Sequence, residues 1–177
     1  MASNPGKIFE ADIMNSIPEE LFKYKLRDSA SAWNTGGDLT TKSRFTTTNI
    51  CDIQCHDGQW LHLWECKSHK GNSFPTSPKY NSNNKLTHYG IIKVNQLDGL
   101  MEAYPKKNVE AGFLFNFSDK EKTYFVTVTE VYAALVEEFK KSLNHEWIEL
   151  HGILIPQSKK KRSKIHYNYE LSVLLNN

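Results

Sequence analysis

Asp52, Glu65 and Lys67 are the residues whose types and spacing lend themselves most directly to chemistry. They fall in two strand-like runs, Asn49–His56 and Gln59–His69, separated by Asp57-Gly58, a strong signal for a two-residue hairpin turn. With that turn, His56 faces Gln59, and Asp52 faces Leu63 and lies diagonal to Glu65. Strand parity then puts Asp52, Glu65 and Lys67 on one face. Diagonal neighbours lie roughly 7–8 Å apart, near enough for two carboxylates to share one cation. A hard divalent ion held by oxygens, with an ammonium beside it, suits such a set. Alternatively, Glu65 and Lys67 form an ordinary charge pair on an exposed strand. Asp52 across the hairpin favours the catalytic reading.

The remaining elements must hold this hairpin in place. Asn4 followed by Pro5 predicts a helix running to about Ser16 that buries Ile8, Phe9, Ile13 and Met14. Phe22, Tyr24 and Leu26 alternate with charge and predict a strand within Leu21–Asp28, Asp28 being a loop cap or a further carboxylate near the site. Residues 29–48 are rich in Ser, Thr and Gly, and such long loops are often functional. Residues 70–90 read as a second polar loop. Ile91–Tyr104 reads as an amphipathic helix. Strands are predicted at Ala111–Phe117 and Thr123–Val128, with Phe113, Phe115 and Phe117 in the core. A helix is predicted over Thr129–Leu143, capped by Thr129 and with Phe139 on its apolar stripe. A short strand at His151–Ile155 and one last element at Ile165–Leu175 complete the order. The fold class is mixed α/β, with helices covering a central sheet.

Composition narrows the classes. The chain has 177 residues, 22 basic against 20 acidic, and 39% hydrophobic residues. That suits a single domain able to bury a core without staples. A mean hydropathy of -0.57 excludes a multi-span membrane protein, and no apolar run reaches the roughly 20 residues a span needs. The N-terminus lacks the apolar stretch of a secretion signal, and three Cys cannot all pair, so a reducing cytoplasm is expected. Cys51, Cys55 and Cys66 with His56 are poorly spaced for zinc. Cys51 and Cys55 fall opposite Asp52, and buried free thiols packing under the sheet fit better. Trp60 and Trp64 alternate onto that same face as core or dimer packing. The basic excess lies in residues 151–177, where Lys159, Lys160, Lys161 and Arg162 sit within a run of five basic residues against one acidic. That run is either a solvated loop or a set of phosphate contacts.

Asp52 followed after twelve residues by Glu65-Cys66-Lys67 resembles the PD-(D/E)xK nuclease superfamily. Four further features sharpen the likeness: Glu10 on the first helix, the Gly6-Lys7-Ile8-Phe9-Glu10 run, the Lys67-Ser68 to Ser73-Phe74 segment, and Gln96 on the next helix. Together they resemble the RecU-type Holliday junction resolvases of Gram-positive bacteria and their phages, in a phage-like form, over roughly residues 4–128. Cys51 stands where the family has Pro, and the basic N-terminal arm of the bacterial members is missing.

The resemblance implies a restriction-endonuclease-like fold spanning 1–177 as a single nuclease domain, with a protruding loop at 29–48 and a basic C-terminal segment at 157–177. It implies a magnesium-dependent endodeoxyribonuclease, manganese being a substitute, that resolves four-way junctions as a homodimer in the cytoplasm of a bacterial or phage-infected cell. No small-molecule cofactor is expected. In that reading Asp52, Glu65 and the Cys66 carbonyl hold the metal with Glu10 in support, while Lys67 positions the attacking water. DNA contacts are expected from Trp33, Lys42, Arg44, Thr46, Thr47, Thr48, Ser73, Gln96, Lys159, Lys160, Lys161 and Arg162. Two alternatives remain: a restriction- or repair-type nuclease acting on duplex DNA, and a non-cleaving module that binds branched DNA.

Overall fold

The computed structural model describes residues 4–26, 49–160 and 166–175. The predicted loop at 29–48 lies outside them, as do Asp28, Trp33, Lys42, Arg44, Thr46, Thr47, Thr48, Lys161 and Arg162.

Helix α1 spans Pro5–Ser16 and starts as its sequence dictates. The Asn4 side chain accepts from Gly6 N–H at 3.0 Å, and Pro5 fills a first-turn position that needs no donor. Strand β1 (Phe22–Lys25) runs antiparallel to β2 (Ile53–His56), and β2 to β3 (Leu61–His69). The segment after β3 departs from expectation, because residues 70–90 carry three short strands, β4 (Ser73–Pro75), β5 (Pro78–Tyr80) and β6 (Leu86–Tyr89). Their Pro and Asn residues punctuate the strands without abolishing them. Strand β7 (Ile92–Lys93) pairs with β6 and leads straight into α2 (Val94–Ala103), so the second helix begins three residues later than predicted. Strands β8 (Val109–Phe117) and β9 (Lys122–Thr127) follow.

The second long helix is also corrected. Helix α3 covers Val128–Tyr132, is capped by Thr127 in place of Thr129, and passes into a π-helical turn over Ala133–Glu137. Phe139 then takes a positive φ of 53° and is exposed, and Leu143 lies in β10 (Ser142–Asn144), which pairs with β4. Apolar spacing alone extended that helix past its true end. A short helix α4 (His145–His151) precedes β11 (Ile153–Ile155), so the strand predicted from His151 is confined to its last three residues. The final element divides into β13 (Tyr167–Tyr169), paired with β12 (Gln157–Lys159), and α5 (Ser172–Leu175).

The central sheet has the order β1-β2-β3-β8-β9-β11. Among the described residues only β3 and β8 pair in parallel, and α2 lies within the connection between them. This is the mixed sheet with flanking helices that the sequence predicted. One face packs Phe113, Phe115 and Phe117 against Leu97 and Leu100 of α2 and Val131 of α3. The other packs Ile53, Trp64, Leu114 and Phe125 against Phe9 and Ile13 of α1 and Tyr169 of β13. Asp12 closes this second layer, its buried carboxylate accepting from the backbone N–H groups of His166 and Tyr167 at 3.2 and 3.3 Å. Among the described residues, no helix is long and apolar enough to cross a membrane.

Candidate active site

The β2–β3 hairpin sets the site, and its turn is not the predicted two-residue one. Ile53 pairs with Trp64 and His56 with Leu61, leaving Asp57–Trp60 as a four-residue loop. Asp57 explains the longer loop. Its N–H donates to the Trp60 carbonyl at 3.2 Å, and its Oδ1 accepts from the N–H groups of Gln59 and Trp60 at 2.8 and 2.6 Å. Gly58 supplies the positive φ of 101°. The register therefore moves by two positions, an even step that keeps Leu63 on one face and Cys55 and Trp64 on the other. Cys51, expected on the Cys55 face, instead packs with Leu63 and Phe113, because the strand is irregular before Ile53. Asp52 precedes the Ile53–Trp64 pair, and its N–H donates to the Trp64 carbonyl at 3.1 Å, a bulge that sets Asp52 outside the regular ladder and beside the Trp64–Cys66 stretch.

Around Asp52 and Glu65 the predicted residues converge. Asp52 Oδ2 accepts from Cys66 N–H at 2.8 Å. Backbone N–H and C=O groups of one strand residue point the same way, so the Cys66 carbonyl faces the Asp52 side, beyond the last β2–β3 pair. Glu65 is 2% exposed. Its Oε1 accepts from Lys67 Nζ at 2.6 Å and from Gln96 Nε2 at 2.6 Å, and Lys67 also donates to Gln96 Oε1 at 3.2 Å. Gln96 is the third residue of α2, where its Oε1 accepts from Lys93 N–H at 3.4 Å. The start of α2 is thereby fastened to the carboxylate and the ammonium together.

The electrostatics of Glu65 are set by its burial and its neighbours. Burial pushes the Glu65 carboxyl up to about 7; Lys67 opposes that shift and the neighbouring Asp52 charge adds to it. Glu65 Oε2 is buried and has no hydrogen-bond partner among the described residues. An orphaned buried carboxylate oxygen beside a second carboxylate fits an oxygen-liganded divalent ion, with Asp52, Glu65 and the Cys66 carbonyl as the protein donors. No cluster of three or more His, Cys, Asp or Glu side chains gathers as a metal site among the described residues, so water would complete the coordination.

The other predicted residues are placed elsewhere. Glu10 lies on α1, across the sheet, where its carboxylate pairs with Lys25 of β1 at 2.6 Å instead of with Lys67. Its charge still reaches the Cys66 thiol, whose pKa burial, Asp52, Glu65 and Glu10 together raise. Sequence reading missed Lys25 because only the parity of β1 against α1 reveals it. Ser73 sits on β4 opposite Asn144. Lys159 pairs with Glu121, and Lys160 N–H donates to the His166 carbonyl at 3.0 Å. The three cysteines are free and buried, as expected of inert thiols; burial pushes Cys51 up to about 12 and Cys55 to about 11.

Comparison with known proteins adds two likenesses. The chain is 28% identical over 184 residues to the SPbeta prophage-derived uncharacterized protein YotM of Bacillus subtilis (strain 168), covering 98% of this chain and 86% of that protein. Its structure is similar to Archaeoglobus fulgidus Hjc, a Holliday junction resolvase from an archaeal hyperthermophile. The TM-score is 0.50 at 14% identity, covering 84% of this chain and 95% of that one. No protein-family model matches the sequence. The second likeness shows the fold: a restriction-endonuclease-like mixed α/β sheet.

Proposed function

We propose that the chain is a metal-dependent DNA endonuclease that resolves four-way junctions as a homodimer, of the RecU type. The observation that carries the reading is the buried Glu65 carboxylate, close to Asp52 and bonded to Lys67 and Gln96, on a resolvase-like sheet. A two-fold dimer supplies two active sites for the two strands that junction resolution must cut.

A divalent ion, magnesium or manganese, held by Asp52, Glu65 and the Cys66 carbonyl would neutralise charge at the phosphate and lower the pKa of bound water. The chain's own residues do the positioning. The Lys67 ammonium, held by two acceptors, Glu65 and Gln96, would stabilise the negative charge that develops during attack on phosphorus. Gln96 keeps Glu65 Oε1 and Lys67 Nζ in fixed relation from the rigid first turn of α2. Asp52, tied to Cys66 N–H, keeps one oxygen in place while the other stays available.

The test is cleavage of a synthetic four-way junction against linear duplex, with magnesium or with EDTA, by the wild type and by Asp52→Asn. The expected outcome is symmetric junction cutting by the wild type alone, only with metal, and a dimeric mass by light scattering. Nicking retained by purified Asp52→Asn rejects the site. Equal cutting of duplex rejects junction selectivity, and a monomer on junction DNA rejects the resolvase reading.

A further inference from the structure

A cavity of about 630 Å³ lies away from the carboxylates, at the opposite end of β3 and β8. Trp60, His62, Tyr104, Lys106, Lys107 and Glu110 are among its walls. The walls are fastened. Asp57 fixes the backbone of Trp60, and Leu61 N–H donates to the Asn108 carbonyl at 2.9 Å, tying the hairpin to the loop that carries the two lysines. His62 is 2% exposed and locked, with Nδ1 at 2.7 Å from Glu110 Oε2 and Nε2 at 3.0 Å from Asp57 Oδ2. Trp64 Nε1 also donates to Glu110 Oε2, at 3.5 Å.

Two polar atoms of these walls are left over. Trp60 Nε1 is a buried donor with no acceptor among the described residues. Glu110 spends Oε2 on both His62 and Trp64, and its side chain is 23% exposed, so its Oε1 is open to solvent or to a ligand donor. A buried N–H without an acceptor is unfavourable, and such a group in a roomy cavity calls for a ligand acceptor. The cavity therefore offers one donor, one acceptor, two aromatic rings and two ammonium groups.

We infer that this cavity binds a nucleotide with an unpaired base, the ring stacked against Trp60 or Tyr104 and the phosphate set on Lys106 and Lys107. Nucleobases with an N–H beside a carbonyl, as in thymine or guanine, match a donor from Trp60 and an acceptor on Glu110. Every base offers a π face for stacking. The phosphate answers the two lysines, so binding weakens with salt. Bases in duplex have these edges paired, which directs the cavity to single-stranded or displaced DNA. The site goes beyond the proposed nuclease reading and does not depend on it.

The experiment follows the Trp60 indole N–H resonance in nitrogen-15 spectra of the full chain, assigned by its absence in Trp60→Phe. Oligothymidylate and thymidine monophosphate are titrated separately in EDTA, so that cleavage plays no part. The expected result is a shift of the Trp60 resonance with saturable binding. Trp60→Phe, which keeps an aromatic wall but deletes the donor, should weaken binding about tenfold. Lys106→Gln with Lys107→Gln should weaken it similarly and flatten its salt dependence. Tighter binding of the oligonucleotide than of the monophosphate supports a DNA strand as occupant; equal affinity supports a free nucleotide in the same cavity. An unmoved Trp60 resonance at millimolar ligand, or unchanged affinity in both variants, overturns the inference. Because no step involves cleavage, the nuclease reading can fail while this site stands, and the reverse.

Discussion

Glu65 combines a buried position, an orphaned oxygen and a pKa near 7, and these have opposite consequences with and without metal. Its folded pKa lies above the ordinary 4.5, so the folded protein holds the proton more tightly than the unfolded chain. Metal-free stability should therefore fall as pH rises from about 4.5 to 7 and level off above. A bound cation reverses this by favouring the ionised form. We expect magnesium to raise the melting temperature at pH 8, by the equivalent of about 2.7 kcal/mol at a hundredfold excess over Kd. Glu65→Gln should abolish that shift in thermal melts; a shift of equal size in the variant would place the metal elsewhere. His62 behaves differently. Burial alone would lower its pKa, but the hydrogen bonds to Glu110 and Asp57 outweigh burial and raise it above 6.5. Its contribution is complete below the unfolded value and is lost as pH rises through the folded one. Urea midpoints should fall on the alkaline side of neutrality in the wild type. In His62→Gln, already destabilised by roughly 3 kcal/mol at pH 6, they should change less.

At the scale of elements, the hairpin shows which errors of sequence reading matter. Asp57-Gly58 suggested a two-residue turn, and the side chain of Asp57 built a four-residue one. The two-position change kept Glu65 and Lys67 together, and an irregular step before Ile53 brought the Asp52 carboxylate beside them. A one-position error would have inverted the faces of one strand relative to the other. The parallel neighbour β8 must approach β9 closely at Gly112. A Cβ there would meet the Val126 carbonyl oxygen at 2.4 Å and the Phe125 ring at 2.6 Å. Gly112→Ala should destabilise the protein by roughly 2 kcal/mol in urea unfolding, because backbone in a central sheet cannot yield cheaply. A neutral result would mean that the two strands separate more easily than their continuous ladder suggests.

For the whole molecule, DNA binding is a matter of where positive charge stands. The basic segment divides its members: Lys159 is paired with Glu121, whereas Lys161 and Arg162 lie outside the described residues. Replacing Lys159, Lys160, Lys161 and Arg162 with Ala should weaken binding to junction and duplex alike. It should also flatten the salt dependence of log K by about 0.9 for each phosphate that is no longer neutralised. An unchanged slope in binding titrations would mark the segment as a solvated loop. Lys159 should contribute least, since reaching a phosphate requires leaving Glu121.

The sequence by itself determined the first helix, the hairpin that carries Glu65 and Lys67, the mixed α/β class and the Phe113, Phe115 and Phe117 core. These follow from local capping and from periodicities of two and 3.6 residues, which act between near neighbours. Tertiary structure decided the rest. Within residues 70–90, β4 is a strand because it found β10, far along the chain, a pairing that no local pattern encodes, whereas β5 and β6 pair with each other and with β7. The helix after β9 ended at Glu137 because the chain had to turn back toward β4, whatever its apolar spacing allowed. Glu10 was drawn to Lys25 once α1 had packed over β3 and β13. The bond from Gln96 to Glu65 and the cavity beside Trp60 likewise join segments far apart in the chain. Burial, which raises the Glu65 pKa and strands the Trp60 donor, exists only once those segments have packed together.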